Sequence, residues 1–435
     1  MLRPVSVKGA VTLFLLFCNL TGATVALAAE KFFNLPQALE YALQNNGELK
    51  TIREEMGLRE ASKIKAGLYP NPVLEMDGTT GELTGSRFEH SLSIGVSQEF
   101  LTSGKRGKRL QVALKERESF ARQLENASRL LRAEVKTTFY DLLLAKERTV
   151  LAESSLALNR QLLAVAQERF EAGDIPELEV NLARVEVARS EGRRVEVERE
   201  IYPAKTRLLA LMGLAPEETA GFSGTLAGRR LADPLGNLQE AALAKRPDLR
   251  ALKAEKAKSD AEIALAQAEQ VPNVTAGFGY RREYTAGEGG ENNLKGQDNL
   301  IGLRVSIPLP LFDRNQAGIR EAQVRRGSAE NRYLFACTVI AREVETAQAM
   351  LTAAEKSLSI YAQDILPQLE ENLRLVQEAY RLGEVGMLAV IEEQKKYFEV
   401  NDGYLAALHN RQMAQVKLEA AVGTDLNGEI TGGVQ

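Results

Sequence analysis

The chain says nearly the same thing twice. Phe170-Glu-Ala-Gly-Asp-Ile-Pro-Glu-Leu-Glu-Val180 returns as Tyr380-Arg-Leu-Gly-Glu-Val-Gly-Met-Leu-Ala-Val390, an offset of 210 residues. Leu208-Leu-Ala-Leu-Met-Gly213 returns at the same offset as Leu418-Glu-Ala-Ala-Val-Gly423. Earlier, Tyr69-Pro-Asn71 returns as Val271-Pro-Asn273 and Leu35-Pro-Gln-Ala38 as Leu238-Gln-Glu-Ala241, at offsets of 202 and 203. The offset grows inside one loop and then holds, as it does when one unit is copied in tandem. Any fold for this chain is therefore built from two similar halves, 29–213 and 237–423, with a connector 214–236 between them and a tail 424–435.

Each half follows one plan. Leu35 to Leu68 reads as a helix with Ala38, Leu39, Ala42 and Leu43 on one face, ended by Tyr69-Pro70-Asn71-Pro72. A strand pair over 73–100 follows: Val73 to Met76, a Gly-rich polar loop (Gly78 to Arg87), and an alternating run. In that run Leu92, Ile94 and Val96 face one way while Ser91, Ser93 and Ser97 face the other. The second pair, 274–307, repeats this. Val274, Ala276, Phe278 and Tyr280 alternate with Thr275, Gly277, Gly279 and Arg281, and Ile301, Leu303, Val305 and Ile307 follow a Gly/Asn loop from Thr285 to Asp298.

Two very long helices come next, 105–170 and 315–380, each 66 residues or roughly 100 Å. Pro367 predicts a kink in the second. Leu110, Leu114, Ala121, Leu124, Leu131, Val135, Leu142 and Ala145 step by threes and fours, the seam of a coiled coil. Phe120, Leu130, Phe139 and Leu143 lie off that seam, which predicts more than one packed neighbour. At Gly173 and Gly383 the chain turns into return helices, 176–211 and 386–421, of 36 residues each. The 34-residue first helix and a return helix, laid end to end, span roughly 105 Å. Two shorter helices stacked beside each long one, strands at one end and turns at the other, is the packing this predicts. The connector and tail then fall at mid-height.

The ends and the composition narrow the setting. Residues 1–28 read as a secretory signal: Arg3 and Lys8, an apolar Ala10 to Leu20, and the small-x-small site Ala26-Leu27-Ala28. Phe17 before Cys18 argues against acylation of that thiol. Without Arg3 and Lys8 the formal charge moves from −4 to −6, which argues against nucleic acid as a partner. Cys337 is then the only cysteine, so rigidity comes from packing or assembly. No segment after the signal is long and apolar enough for a spanning helix. Membrane crossing falls to the strands, which need only about 9–11 residues each. Four strands are too few to close a barrel, and three copies would supply twelve.

At this point the residues resemble the TolC-like outer-membrane efflux family over the whole chain after the signal. The duplication, the Pro-Asn after the first helix and the Tyr/Phe-x-x-Gly turn carry the resemblance. Gln98-Glu-Phe-Leu-Thr-Ser-Gly-Lys-Arg-Gly-Lys-Arg109 and Pro308-Leu-Pro-Leu-Phe-Asp-Arg-Asn-Gln316 look like its cobalt–zinc–cadmium, or heavy-metal, branch. The resemblance implies a mainly α fold with a small β part. Long antiparallel coiled coils and four strands per chain would form a homotrimer, with a 12-stranded outer-membrane β-barrel continuous with a periplasmic α-barrel. A periplasmic adaptor (membrane fusion protein) and an inner-membrane RND-type pump would be its partners, and outer-membrane lipid its surroundings. Drug efflux and type I protein secretion are alternative duties of the same fold. A periplasmic coiled-coil scaffold without a pore is the alternative from another class.

The resemblance also implies sites. Ala172-Gly173-Asp174 and Leu382-Gly383-Glu384 align with the family's helix-tip turns, where adaptor hairpins dock. The family's closed gate puts a lock tyrosine at Tyr380 and its acidic partner at Glu179. Of two inward-facing acidic positions, one falls on Glu392 and the other on Ala389, and the basic lock position falls on Val385. One acidic ring and one locking contact are therefore expected to be missing.

Other chemistry finds no support. His90 and His409 lie in unrelated segments, so a Cys–His catalytic pair has no spacing behind it. Gly277-Phe-Gly279 lacks the third glycine and the following helix of a nucleotide fingerprint. There is no His-x-x-x-His or Cys-x-x-Cys, and Met387 stands alone near a turn. The reading is a chain without catalytic residues, cofactor or metal site. The basic run Lys105-Arg106-Gly107-Lys108-Arg109 is expected near lipid headgroups or the lumen wall.

Overall fold

The computed structural model describes residues 31–84, 89–215, 218, 220–228, 237–286 and 295–426. The signal, the tips of both strand hairpins, part of the connector and the end of the tail lie outside the described residues. The first half contains β1 (Lys31–Phe33), α1 (Leu35–Asn45), α2 (Gly47–Gly67), β2 (Val73–Thr80), β3 (His90–Phe100), α3 (Lys105–Glu171), α4 (Glu177–Glu198) and α5 (Ile201–Met212). After β4 (Ala220–Phe222), the second contains α6 (Leu238–Lys245), α7 (Pro247–Glu269), β5 (Val274–Ala286), β6 (Lys295–Ser306), α8 (Gln316–Ile360), α9 (Leu366–Arg381) and α10 (Met387–Val422).

α3 runs 67 residues without a break. It packs against α7, α4, α2, α10, α5 and α1, which is why Phe120, Phe139 and Leu143, off the single seam, are buried while Leu130 is not. Three apolar clusters hold the helices together. One, at mid-height, gathers Phe139, Leu142, Leu208, Met212 and Phe222. A second joins α6, α8 and α10 through Leu238, Val344 and Leu418. The third, at the turns, joins Leu162, Val180, Tyr380, Met387 and Ile391.

Four expected helices are interrupted. The first helix of each half breaks near its start, at Asn46 and at Arg246. Asn46 turns to ψ 127°, its Oδ1 accepts from the Leu49 N–H at 2.9 Å, and its Nδ2 donates to the Leu211 carbonyl at 2.9 Å. Arg246 precedes Pro247, whose ring pushes it out of helical geometry to ψ 124°. The first return helix breaks at Arg199 and Glu200 because Pro203 would clash with a helical Arg199 carbonyl. The kink expected at Pro367 takes the form of a π-helical turn, Tyr361–Ile365, just before it.

The four long strands form one antiparallel sheet in the order β2-β3-β5-β6. β3 pairs with β5 over the full length of β3, Phe100↔Val274 to His90↔Tyr284, so the two halves meet along the middle of the sheet. The strands outrun the sequence reading. β2 continues to Thr80, β5 to Ala286 and β6 starts at Lys295, which shortens both expected loops. A small parallel sheet, β1 with β4, went unread. It stacks Phe33 on Phe222 and sets Phe222 edge-on to Phe139, near the midpoint of α3.

The basic run lies where β3 gives way to α3, and two of its cations bind that junction. Lys105 is buried and its Nζ donates to the Val271 carbonyl at 2.5 Å and Asn273 Oδ1 at 2.6 Å. Arg106 Nε donates to the Gly67 carbonyl at 2.6 Å, and its guanidinium lies 4.2 Å from the Tyr69 ring centroid. These cations knit the strand–helix junctions together, because sharp turns there leave carbonyls without ladder partners.

Candidate functional site

The sheet is inside out for a protein in water. Along β3, Leu92, Ile94 and Val96 stand exposed while Ser97 is only 7% exposed, and Ser91, Ser93 and Gly95 are half-buried. The register continues this sorting across every strand. Val96 pairs with Leu74 and Phe278, Ile94 with Met76 and Tyr280, and Leu303 and Ile301 extend the same rows on β6. Ile301 is 73% and Leu303 85% exposed. A contiguous apolar band on strands of 8 to 13 residues finds no partner among the described residues. Hydrocarbon is the solvent in which such a face costs nothing. The opposite face carries Glu75, Asp77, Ser91, Ser93, Ser97, Arg281 and Arg304, and both edge strands, β2 and β6, have one side unpaired. Among the described residues no helix is long and apolar enough to cross a membrane.

At the other end, both turns close by the same geometry. Gly173 and Gly383 take φ of 81° and 80°, a left-handed conformation that glycine adopts without a Cβ penalty. Gly173 N–H donates to the Phe170 carbonyl and Asp174 N–H to that of Arg169; Gly383 and Glu384 repeat this on Tyr380 and Ala379. Ala172, Gly173, Asp174, Leu382, Gly383 and Glu384 are all exposed, a bare pair of hairpin ends.

Tyr380 and Glu179 are brought together, but weakly. Tyr380 is 2% exposed and packs among Val180, Ala183, Val390 and Ile391. Its hydroxyl lies 3.5 Å from Glu179 Oε2, the outer limit for a hydrogen bond. Burial raises its pKa, and the nearby Glu179 carboxylate raises it further. The stronger contact comes from Arg169, which the sequence reading passed over. Arg169 Nη1 donates to the Tyr380 carbonyl at 2.8 Å, and its guanidinium lies 4.9 Å from the Tyr380 ring centroid. Val385, at the expected basic position, is half-buried beside the tip cluster. Lys395 on α10 adds a pair with Glu186 on α4 at 3.0 Å. Leu388, Ala389 and Glu392 are exposed, on the side of α10 turned away from this cluster.

With strands facing hydrocarbon at one end and paired hairpins at the other, the sequence pattern of the outer membrane efflux protein family matches residues 39–214 and again residues 238–424. The chain belongs to that family. The resemblance read from the sequence is thereby borne out, and the protein is an outer-membrane efflux channel with a large periplasmic helical part. It is 26% identical over 391 residues to the cobalt-zinc-cadmium resistance protein CzcC of Cupriavidus metallidurans, covering 89% of this chain and 90% of the relative. It is 25% identical over 394 residues to the cation efflux system protein CusC of Escherichia coli O157:H7, covering 88% and 84%. Among solved structures, one of CusC superposes with a TM-score of 0.74 at 19% identity, covering 90% of this chain and 92% of that one. The outer membrane protein VceC of Vibrio cholerae gives 0.70 at 16% identity, covering 90% and 96%. These likenesses fix the fold as that of the TolC-like channels. Among the described residues no group of three or more His, Cys, Asp or Glu is placed to hold a metal ion.

Proposed function

We propose that the chain is the outer-membrane duct of a tripartite system that exports heavy-metal cations. Three copies pool their strands into a 12-stranded barrel, and their helices continue it as a periplasmic α-barrel. A periplasmic adaptor docks on the turns 172–174 and 382–384, and an RND-type inner-membrane pump supplies the drive. The observation that carries the assembly is the sheet, with its unpartnered apolar face and two open edges. The metal cargo is supported by relatives named for cobalt, zinc, cadmium and nickel resistance. Selection of the metal lies with pump and adaptor. The duct conducts and performs no catalytic step. Residues 1–28 direct export, 29–213 and 237–423 are the two repeats, and 214–236 and 424–435 are the connector and the tail.

The resting duct is closed at the tips. Tyr380, through Glu179 and Arg169, ties α9 to α4 and α3, and three Glu392 side chains converge on the neck. The exposed, outward position of Glu392 on α10 supports this. The test is a deletion strain grown on cobalt, zinc, cadmium, nickel and a panel of drugs, with membrane fractions run unheated and heated. The expected result is metal sensitivity and a heat-modifiable trimer in the outer membrane. Sensitivity to drugs alone refutes the cargo, and a monodisperse water-soluble monomer refutes the assembly.

A further inference from the structure

An ion pair reaches across the whole strand wall. Glu75 on β2 and Arg304 on β6 stand on opposite edges of the four-stranded sheet, yet Arg304 Nη1 lies 3.1 Å from Glu75 Oε2. Neighbouring strands are about 4.8 Å apart, so three intervals separate the edges by about 14 Å along the sheet. Side chains standing upright on a flat sheet do not meet over that span. The sheet is therefore curled with its polar face concave, which is the curvature a barrel interior requires. From β3, Ser97 Oγ donates to Glu75 Oε1 at 2.7 Å and holds the carboxylate toward the bridge.

Beneath the bridge the wall is bare. Gly95, Gly279 and Gly302 are successive register partners on β3, β5 and β6, and Gly277 stands opposite Arg304. A Cβ at Gly95 would lie 3.2 Å from the Phe278 carbonyl oxygen, and one at Gly279 would lie 3.3 Å from that of Ile94. The glycines thus permit close strand approach and leave room on the concave side. The result is a hollow of about 420 Å³ bordered by Glu75, Asp77, Ser93, Arg281 and Arg304. The row beyond Glu75, toward the strand-hairpin tips, holds an acid and a base, Asp77 and Arg281, with Ser93 between them. Glu283 and Asp298 face each other one row further on.

We propose that Glu75 and Arg304 are the selectivity-determining pair of the strand-built lumen, each cancelling the other's charge toward small inorganic ions in transit. Three copies place three carboxylates and three guanidiniums at one level. The belt is neutral whether Arg304 binds its own Glu75 or, once the open edges meet, that of the adjoining copy. A focused field in a narrow, low-dielectric wall acts strongly on passing ions, so removing either partner exposes the other. This inference rests on the channel reading above.

The test is the reversal potential of purified trimers in planar bilayers under a potassium chloride gradient. Glu75→Gln shifts the K⁺/Cl⁻ permeability ratio toward chloride by about sevenfold, and Arg304→Gln shifts it toward potassium by about as much, because one kT of local potential changes the two ions by about 2.7-fold each in opposite senses. The double variant returns to the wild-type ratio, and Arg304→Lys keeps it. Two single variants that conduct with the wild-type ratio, or that shift it in the same direction, overturn the proposal. Where a single variant does not form heat-modifiable trimers, the exchange of Glu75→Arg with Arg304→Glu keeps the pair and must conduct with wild-type selectivity; a shifted ratio there also overturns it. A wild-type protein without conductance overturns the channel reading itself.

Discussion

Arg169→Ala should loosen the closed tips more than Tyr380→Phe, and the geometry sets the difference. Arg169 gives the Tyr380 carbonyl a charged donor at 2.8 Å and lays its guanidinium against the Tyr380 ring. A hydrogen bond from a charged donor contributes about 1.5–3 kcal/mol, and a cation–π contact at a partly exposed site about 0.5–1 kcal/mol. The carbonyl keeps a second donor, Gly383 N–H at 3.1 Å, so no buried acceptor is orphaned by the change. Solvent screening at the half-exposed arginine also trims the gain, which leaves about 2 kcal/mol, or about 30-fold in the open-to-closed equilibrium. Tyr380→Phe removes a hydroxyl 3.5 Å from its acceptor and costs less than about 1 kcal/mol. Single-channel recordings in planar bilayers, with trimer integrity checked on unheated gels, read this as open probability. Equal or greater opening by Tyr380→Phe, or an unchanged closed state in Arg169→Ala, would refute the reasoning.

Three further outcomes are expected. Gly173→Val with Gly383→Val forces a β-branched residue into positive φ at both hairpin ends, at about 1–3 kcal/mol each; trimers persist while metal efflux from cells is lost, and wild-type resistance would place adaptor docking elsewhere. Glu392→Ala lowers cation selectivity and block by multivalent cations in bilayers, and an unchanged block would remove Glu392 from the neck. At mid-height, burial pushes the Asp248 carboxyl up, but hydrogen bonds and charge from Arg246, with Arg129, outweigh it and hold the pKa below the ordinary value. That contribution is complete above the unfolded-state pKa of about 3.9 and is lost as pH falls through the lower folded value. Thermal melting of the wild type should therefore fall in that acid range, while Asp248→Asn is less stable at neutral pH and shows a flatter decline.

What the sequence made legible was whatever is written in local periodicity. Alternation at Ser91–Ser97 gave the two-faced strand, and Phe170-Glu-Ala-Gly173 and its copy gave the hairpin ends, since both depend on neighbours a few residues away. The pairing of β3 with β5 joins residues nearly 200 positions apart and leaves no trace in either strand's own pattern. Arg169 was unreadable for the same reason. It is one arginine among many on a charged helix, and its target lies 211 residues further on. The only hint was an asymmetry of the repeat, where its counterpart is Ala379. Val385 offers no cation at the expected basic position, and the cation beside Tyr380 comes from another helix. The break at Asn46 was visible in principle, because Asn followed by Gly is a helix-stop signal, yet the apolar steps on either side kept the helical period and masked it.

The π-helical turn at Tyr361–Ile365 bears on symmetry. The caps that open the two long helices, Gly104 and Asn315, stand 211 residues apart and their ends, Glu171 and Arg381, 210 apart, so the second is one residue shorter, and its π turn takes up one more residue than an α-helical turn. Below it, side chains are rotated by about 100° relative to an unbroken α-helix. Phe170 and Tyr380 are repeat partners, and the first is 43% exposed while the second is 2% exposed. In the proposed trimer the six hairpin ends therefore alternate between two kinds. The rim they form has threefold rather than sixfold order, and an identical subunit repeated six times around it would meet two different footholds in turn.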